Sequence, residues 1–535
     1  MGLKTNILAG LGGHLKYPVL CMTVLAAAGC AGDLGNYTYT ELDGPRVTNW
    51  PETGMEILTM EQLTLTPEVE GGMEADNYTY EWKVIDRNNE NAVTVISETR
   101  DLDYRVTLAP GAYSLYFTMT EKESGIFWQN TAELLVSSSM SEGWMVLCSD
   151  DGRTCLDFVS KVTSLTYHDV LSDNEGMPQL NGPRKIQWLS SMTDAASPYY
   201  LLTDDGATRL GKDSFEWKEE YSMLYESGEG AALIPHSIVC SGFGKMLVSG
   251  TGAHYCETMG FSGLYGSAVN KDFEAAPTVG ANVLATQVYA AVYLLYDITE
   301  GRFMGYCPLL ERPDLGSQEP LADLQTMGEI AEGMASSDEE SVVGTAFDEY
   351  PEGYGFVYME NTRYDPGNAS MGVTYTILAD GRNRYVYGIQ CGDMLRYADC
   401  PYVIGKACYA DISACTDITG EGNLFAFSSL GNFLYYTSGS SVYRVDMSEE
   451  TPHAVLQFDL GGETITCLKF NLYQNSENSM KSYDLIVGSM KAGGEGVLRI
   501  YEGYASSGNF IGAVPAEQYG GFYRIVDVTY KERVY

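Results

Sequence analysis

Basic residues are scarce in this chain. Its 535 residues hold 32 Lys and Arg against 72 Asp and Glu, a formal net charge of −40. A surface that acidic repels phosphate backbones and anionic lipid heads, which argues against nucleic acid or a lipid surface as its partner. Histidine is scarcer still. Of the five, His14 lies in the N-terminal segment, while His168, His236, His254 and His453 are dispersed, with no His-Glu-x-x-His to hold zinc. Cysteines never pair as Cys-x-x-Cys, and no Asp-x-Asp-x-Asp-Gly loop offers calcium a ring of oxygens. There is no Gly-x-Ser-x-Gly elbow and no phosphate-binding loop, because Gly244-Lys245 and Gly405-Lys406 lack the following Ser or Thr. These absences leave no cofactor, no metal and no catalytic motif to expect. A carboxylate pair for glycoside hydrolysis stays open, since the acids are many and their separation is a three-dimensional quantity.

Long apolar runs are also missing, apart from one near the start. Val19 to Gly29 is apolar and follows a segment whose only charges are Lys4 and Lys16. It falls short of the roughly 20 residues a spanning helix needs, and polar residues follow it at once. Basic region, apolar core and small residues before a cleavage point form a secretory signal over residues 1–29. Cys30, directly after Ala28-Gly29, turns it into a lipoprotein signal: the thiol takes the lipid and becomes the first mature residue. Removing the signal takes two lysines and no acid, so the mature charge is −42. A tether over 30–36 would then join the lipid to the folded protein.

Tyrosine and glycine are abundant, at 40 and 58 residues, which favours strands and turns over helices. Residues 37–137 carry short strands dense in aromatic and β-branched residues, among them Tyr78-Thr-Tyr-Glu-Trp82 and Tyr113 to Met119, punctuated by turns such as Pro110-Gly111. About a hundred such residues around a central tryptophan fit an immunoglobulin-like β-sandwich with Trp82 in its core. Ser137 to Gly143 is a polar linker. From Trp144 to the end, one pattern recurs: an apolar strand, a Gly-containing turn, a returning strand. Copies occur around Asp151-Gly152, Gly206, Asp380-Gly381 and Gly431. A spacing of about 50 residues is that of a propeller blade, and roughly 390 residues give seven or eight blades over 144–535. Ring closure would pair Trp144 to Cys148 with the segment Tyr523 to Tyr530. Residues 322–335, mixed apolar and acidic, read as a helical insertion or an acidic loop. The expected fold class is all-β, a sandwich followed by a propeller.

Three stretches resemble one family. Asp33-Leu-Gly-Asn-Tyr37 behind the lipid cysteine, Tyr78-x-Tyr-x-Trp82 with Pro110-Gly-Ala-Tyr113, and the ending Gly521-Phe-Tyr-Arg-Ile-Val-Asp-Val-Thr-Tyr530 are similar to the PKD-like family lipoproteins of Bacteroidota. The resemblance implies an outer-membrane lipoprotein, at the cell surface rather than the periplasmic face. It also implies an accessory role beside a TonB-dependent nutrient transporter and no established activity. With only Asp33 as an acid just after Cys30, the sequence departs from acid-rich surface-export signals, which leaves the choice of face less firmly supported than membrane attachment.

Two features remain. In Trp144 to Leu156, a two-residue turn at Asp151-Gly152 sets Cys148 opposite Cys155, within reach of a disulfide; two buried free thiols are the alternative. His254-Tyr-Cys256 puts a base near a thiol, but nothing in sequence supplies the third, orienting group. Sugars present apolar faces that flat aromatic rings can cover. Trp217, Tyr221 and Tyr225 form the first candidate platform, with Tyr354, Tyr358 and Tyr364 next, though most propeller aromatics pack between blades. The expected function is therefore a non-enzymatic accessory component that binds glycan or peptide, or serves assembly alone. The alternative is a propeller-type polysaccharide hydrolase or lyase.

Overall fold

The computed structural model describes residues 44–533 apart from 52, 72–76, 88, 90, 190–197, 229–232, 242–243, 259–262, 282–291, 309–320, 324–351, 364–371, 392–403, 474–475 and 504–513. Cys30, the tether and Tyr364 lie outside the described residues. Among those described there is no α-helix, only short 3-10 turns, so no helix is long and apolar enough to cross a membrane.

The first unit is a sandwich. Met55–Leu58, Phe127–Ser137, Gly111–Glu121, Tyr78–Asp86 and Ala92–Ser97 lie side by side as a five-stranded sheet, in that spatial order. Two short ladders, Arg46–Val47 with Val69–Glu70 and Gln62–Leu65 with Leu102–Arg105, cover its inner face. Strict alternation makes this possible: Tyr113, Leu115, Phe117 and Met119 all point inward from one strand and are buried. Trp82 is 0% exposed, packs 4.4 Å from Phe117 and donates its indole N–H to the Thr99 carbonyl at 3.0 Å. The sequence placed it in the core, and it is there.

The second unit is a β-propeller of seven blades among the described residues. Blade 1 is closed by both ends of the ring: Arg524–Lys531 lies innermost, then Gly143–Asp150, Arg153–Ser160 and Thr166–Tyr167. The expected closure holds, with Trp144 opposite Tyr530 and Val146 opposite Val528. Blades 2 and 3 start at Pro183–Trp188 and Pro235–Ser241. In blade 4, Ala275 and Gly280 bridge to the strand Tyr293–Asp297. Blades 5, 6 and 7 start at Gly355–Thr362, Phe425–Phe427 and Thr464–Phe470. Leu321–Asp323 is the outer strand of blade 4; the remainder of the expected helical insertion lies outside the described residues.

Each apolar cluster lies between neighbouring blades. One joins Met145, Leu147 and Phe158 of blade 1 to Ile186, Tyr199 and Leu201 of blade 2, and another joins Tyr375 and Ile377 of blade 5 to Phe427 and Leu434 of blade 6. The tyrosine-rich composition is used here: Tyr200, Tyr293, Tyr375, Tyr435 and Tyr501 are buried between blades. Their rings provide area, and each hydroxyl can satisfy a buried polar neighbour.

Buried charge also joins blades. Between blades 2 and 3, the Glu226 carboxylate lies 3.0 Å from Lys245 Nζ and 2.8 Å from the Arg209 guanidinium, while Lys245 also donates to Tyr200 Oη at 2.9 Å. In blade 7, Arg499 holds Glu463 with two bonds of 2.9 Å.

Candidate functional site

The innermost strands surround an axial cavity of about 920 Å³. Its wall draws on blades 1, 2, 3, 5, 6 and 7 and on Pro277 and Thr278 leading into blade 4. A volume of this size suits a small organic or oligomeric ligand. Apolar rings and chains such as Trp188, Phe356, Leu424 and Leu468 alternate with charged groups around it.

Four of the ionisable side chains that line it come from four different blades. Lys185 comes from blade 2, Glu360 from blade 5, Lys469 from blade 7 and Asp527 from blade 1. Asp527 is fully engaged: one oxygen accepts Lys469 Nζ at 2.7 Å and the other accepts the Ile186 backbone N–H at 3.0 Å. Burial works against the Lys469 ammonium, but Asp527 outweighs it and the lysine is held above its ordinary value. Glu360 accepts the Phe427 backbone N–H at 2.8 Å and the Tyr358 hydroxyl at 3.3 Å, both on one oxygen. Burial pushes its carboxyl up to about 7, against the pull of that N–H and of Lys469 and Lys185. Burial lowers Lys185, with Asp527 opposing the shift. Among the described residues neither Lys185 nor Glu360 has an ion-pair partner within 4.0 Å.

The two ends of the cavity differ. At one rim, Arg184 donates to His236 Nδ1 at 2.6 Å and to Asp204, and burial together with that cation lowers His236. At the other, Arg533 donates to Glu56 and to the Ser137 hydroxyl of the sandwich, so this end adjoins the first unit.

The aromatic residues singled out from sequence are not brought together. Trp217 is half-buried and donates its indole N–H to Thr208 Oγ1 at 2.9 Å. Tyr221 is buried beneath Arg209 and Lys218, whose cations lie 5.2 and 5.4 Å from its ring. Tyr225 alone of the three is exposed, at 50%, and donates to Glu219. The Trp217 indole N–H and the Tyr221 ring are thus engaged by the protein itself. Tyr354 stacks on Tyr385 at 5.4 Å, and of the five described candidates Tyr358 reaches the cavity.

Cys148 faces Cys155 in the register that the Asp151-Gly152 turn requires. Both are free, buried thiols; burial raises Cys155 to about 12 and Cys148 further, which makes them poor nucleophiles. His254 is a satisfied core histidine, with Nδ1 on the Gly266 carbonyl at 2.8 Å and Nε2 on Thr251 Oγ1 at 3.2 Å. Among the described residues no group of three His, Cys, Asp or Glu converges as a metal site.

The four cavity charges escaped the sequence reading. A signal for them exists: in Ile465-Thr-Cys-Leu-Lys469-Phe and Ile525-Val-Asp527-Val-Thr, a single charge interrupts an otherwise apolar or β-branched strand. A lone charge at such a position must find a partner or a wet cavity.

Comparison with known proteins bears on the first unit. Residues 30–183 match the PKD-like family. The match takes in the sandwich and reaches the first strand of blade 2, and the rest of the chain lies beyond it. No curated protein sequence matches the chain. Among solved structures, a quinonprotein alcohol dehydrogenase-like protein from Bacteroides thetaiotaomicron aligns over 90% of this chain and 99% of its own, at 13% identity and a TM-score of 0.39. A DUF4784 family protein from Bacteroides caccae aligns over 92% and 100%, at 8% identity and 0.30. PorZ, a surface component of the type-IX secretion system of Porphyromonas gingivalis, aligns over 77% and 44%, at 9% identity and 0.29. Likeness at that level carries no functional argument; the architecture rests on the strand pairing described above.

Proposed function

We propose that this chain is a non-catalytic binding lipoprotein of the cell envelope. In this reading Cys30 carries the lipid, the sandwich is a stalk, and the axial cavity of the propeller takes a glycan or peptide on behalf of an outer-membrane uptake system. One observation supports it above others: a cavity of about 920 Å³ lined by a half-buried lysine, Lys185, and a half-buried carboxyl, Glu360, neither in an ion pair among the described residues. Desolvated charges left without partners cost stability, and a ligand that completes them recovers it.

The hydrolase reading draws on one feature: burial holds the Glu360 carboxyl up to about 7, in the range of a general acid, in a cavity that Asp527 also lines. The bonds of Asp527 weigh against it. Both oxygens are engaged by Lys469 and Ile186, leaving a poor nucleophile or base for water.

The test uses soluble residues 31–535 on glycan and peptide arrays, followed by titration calorimetry of each hit. A hit whose affinity falls at least tenfold in Lys185→Met or Glu360→Gln supports the reading. Hits insensitive to both, or none at all, refute it. Cys30→Ala should release the full chain from membranes into the soluble fraction of cells.

A further inference from the structure

The acidic and basic side chains that line the cavity are equal in number: Lys185, Lys469 and Arg533 against Asp527, Glu360 and Glu532. One pair, Lys469 with Asp527, closes on itself at 2.7 Å. Lys185 and Glu360 are not within 4.0 Å of each other, although they lie close enough for each to act on the other's charge. What is left is a separated positive and negative point in a largely apolar chamber.

The sign of a fitting ligand follows. A simple anion would suit Lys185 but add a third negative charge beside Glu360 and Asp527. A simple cation would suit Glu360 but add a third positive charge beside Lys185 and Lys469. An uncharged ligand leaves both desolvated groups unpaired. A ligand that is neutral overall and carries both charges, spaced apart, completes both at once. The spacing also matters, because an ammonium and a carboxylate on one carbon would have to serve two groups that do not touch.

Resting on the binding reading above, we infer that the axial cavity takes a zwitterionic short peptide, its terminal carboxylate on Lys185 and its terminal ammonium on Glu360. Glu360 has one oxygen engaged by Phe427 N–H and Tyr358, so the other is open to an ammonium. Trp188, Phe356 and Leu468 would lie against the apolar side chains between the ends. A charge-assisted bond at each end gives selectivity for free termini rather than for any one sequence.

The test is calorimetric titration of residues 31–535 with a mixed tripeptide library in four forms: free, N-acetylated, C-amidated and capped at both ends. The free form should bind at least tenfold more tightly than either singly capped form. Lys185→Met should bring the free form down to the C-amidated level, and Lys185→Arg should keep the discrimination. Glu360→Gln should bring the free form down to the N-acetylated level. Each variant's affinity for the doubly capped library, together with its unfolding transition, reports that the ring is intact. Equal affinity for free and capped libraries overturns the inference. If instead neutral oligosaccharides bind and a Leu468→Trp substitution in the cavity wall abolishes it, the inference fails while the binding reading stands. If no library of either class binds, both fail.

Discussion

Neutralising Glu226 should unlock the interface between blades 2 and 3. Its carboxylate lies against two cations in a buried cluster: Lys245, 1% exposed at its side chain, and Arg209, 15% exposed. Glu226→Gln keeps the shape and removes the charge. Lys245 would keep the Tyr200 hydroxyl and the faces of Tyr200 and Tyr265, 5.4 and 5.5 Å away, but would lose the carboxylate 3.0 Å from its Nζ. Breaking a buried pair from one side costs about 3–5 kcal/mol. A ring of roughly 390 residues unfolds with an entropy of about 0.8 kcal/mol/K, so about 4 kcal/mol lowers its melting temperature by about 5 °C. Differential scanning calorimetry of residues 31–535 would measure this. The double variant Glu226→Gln/Lys245→Met should recover most of the loss, because no buried ammonium is then left facing a neutral amide. A single-variant shift under about 1 °C would refute the reasoning, as would a double variant no better than the single.

Three more outcomes are expected. Glu360→Gln should stabilise the protein at pH 8 and leave it unchanged near pH 4. The folded carboxyl is raised to about 7, so the native fold loses stability as pH rises from about 4.5 to about 7, by about 3 kcal/mol in all; melting curves across that range would show the two proteins diverge. Lys531, buried against Tyr199 and Phe215 with its Nζ donating to the Asp213 carbonyl at 3.1 Å, is lowered by burial to about 7. The unfolded lysine therefore binds more protons between about 7 and its ordinary 10.5, so Lys531→Met should raise the melting temperature most at pH 7 and below. The gain should shrink towards pH 10, and a constant one would sink the idea. Trp82→Ala should cost the sandwich about 3–5 kcal/mol and leave the Thr99 carbonyl without its donor, shifting one calorimetric transition and sparing the propeller's.

Much of the architecture was legible because it depends on neighbours in sequence. Alternation in Tyr113 to Met119 places four side chains in one core, and Asp151-Gly152 dictates which residues face across a hairpin. Closure of the ring was readable too, since its two ends had to meet and each was a good strand. Of the seven or eight blades expected, strand pairing forms seven among the described residues. The cavity was not legible, and the reason is geometric. Each blade contributes a few residues, and the bond from Ile186 to Asp527 spans 341 positions. Aromatic side chains misled for a related reason: Trp217 and Tyr221 look like a platform in sequence, but whether a ring faces water depends on what another segment lays over it. Here Arg209 and Lys218 do so for Tyr221.

The clasp in blade 1 makes the ring a test of its own completeness. Gly143–Asp150 is among the first parts of the propeller to be made, yet its inner neighbour, Arg524–Lys531, is almost the last. Until that segment arrives, the early strand carries an open row of amides and carbonyls, the kind of edge that invites wrong pairing. A chain cut short by a few dozen residues would thus fail at its beginning as well as its end. Only a ring with both segments paired can hide both edges.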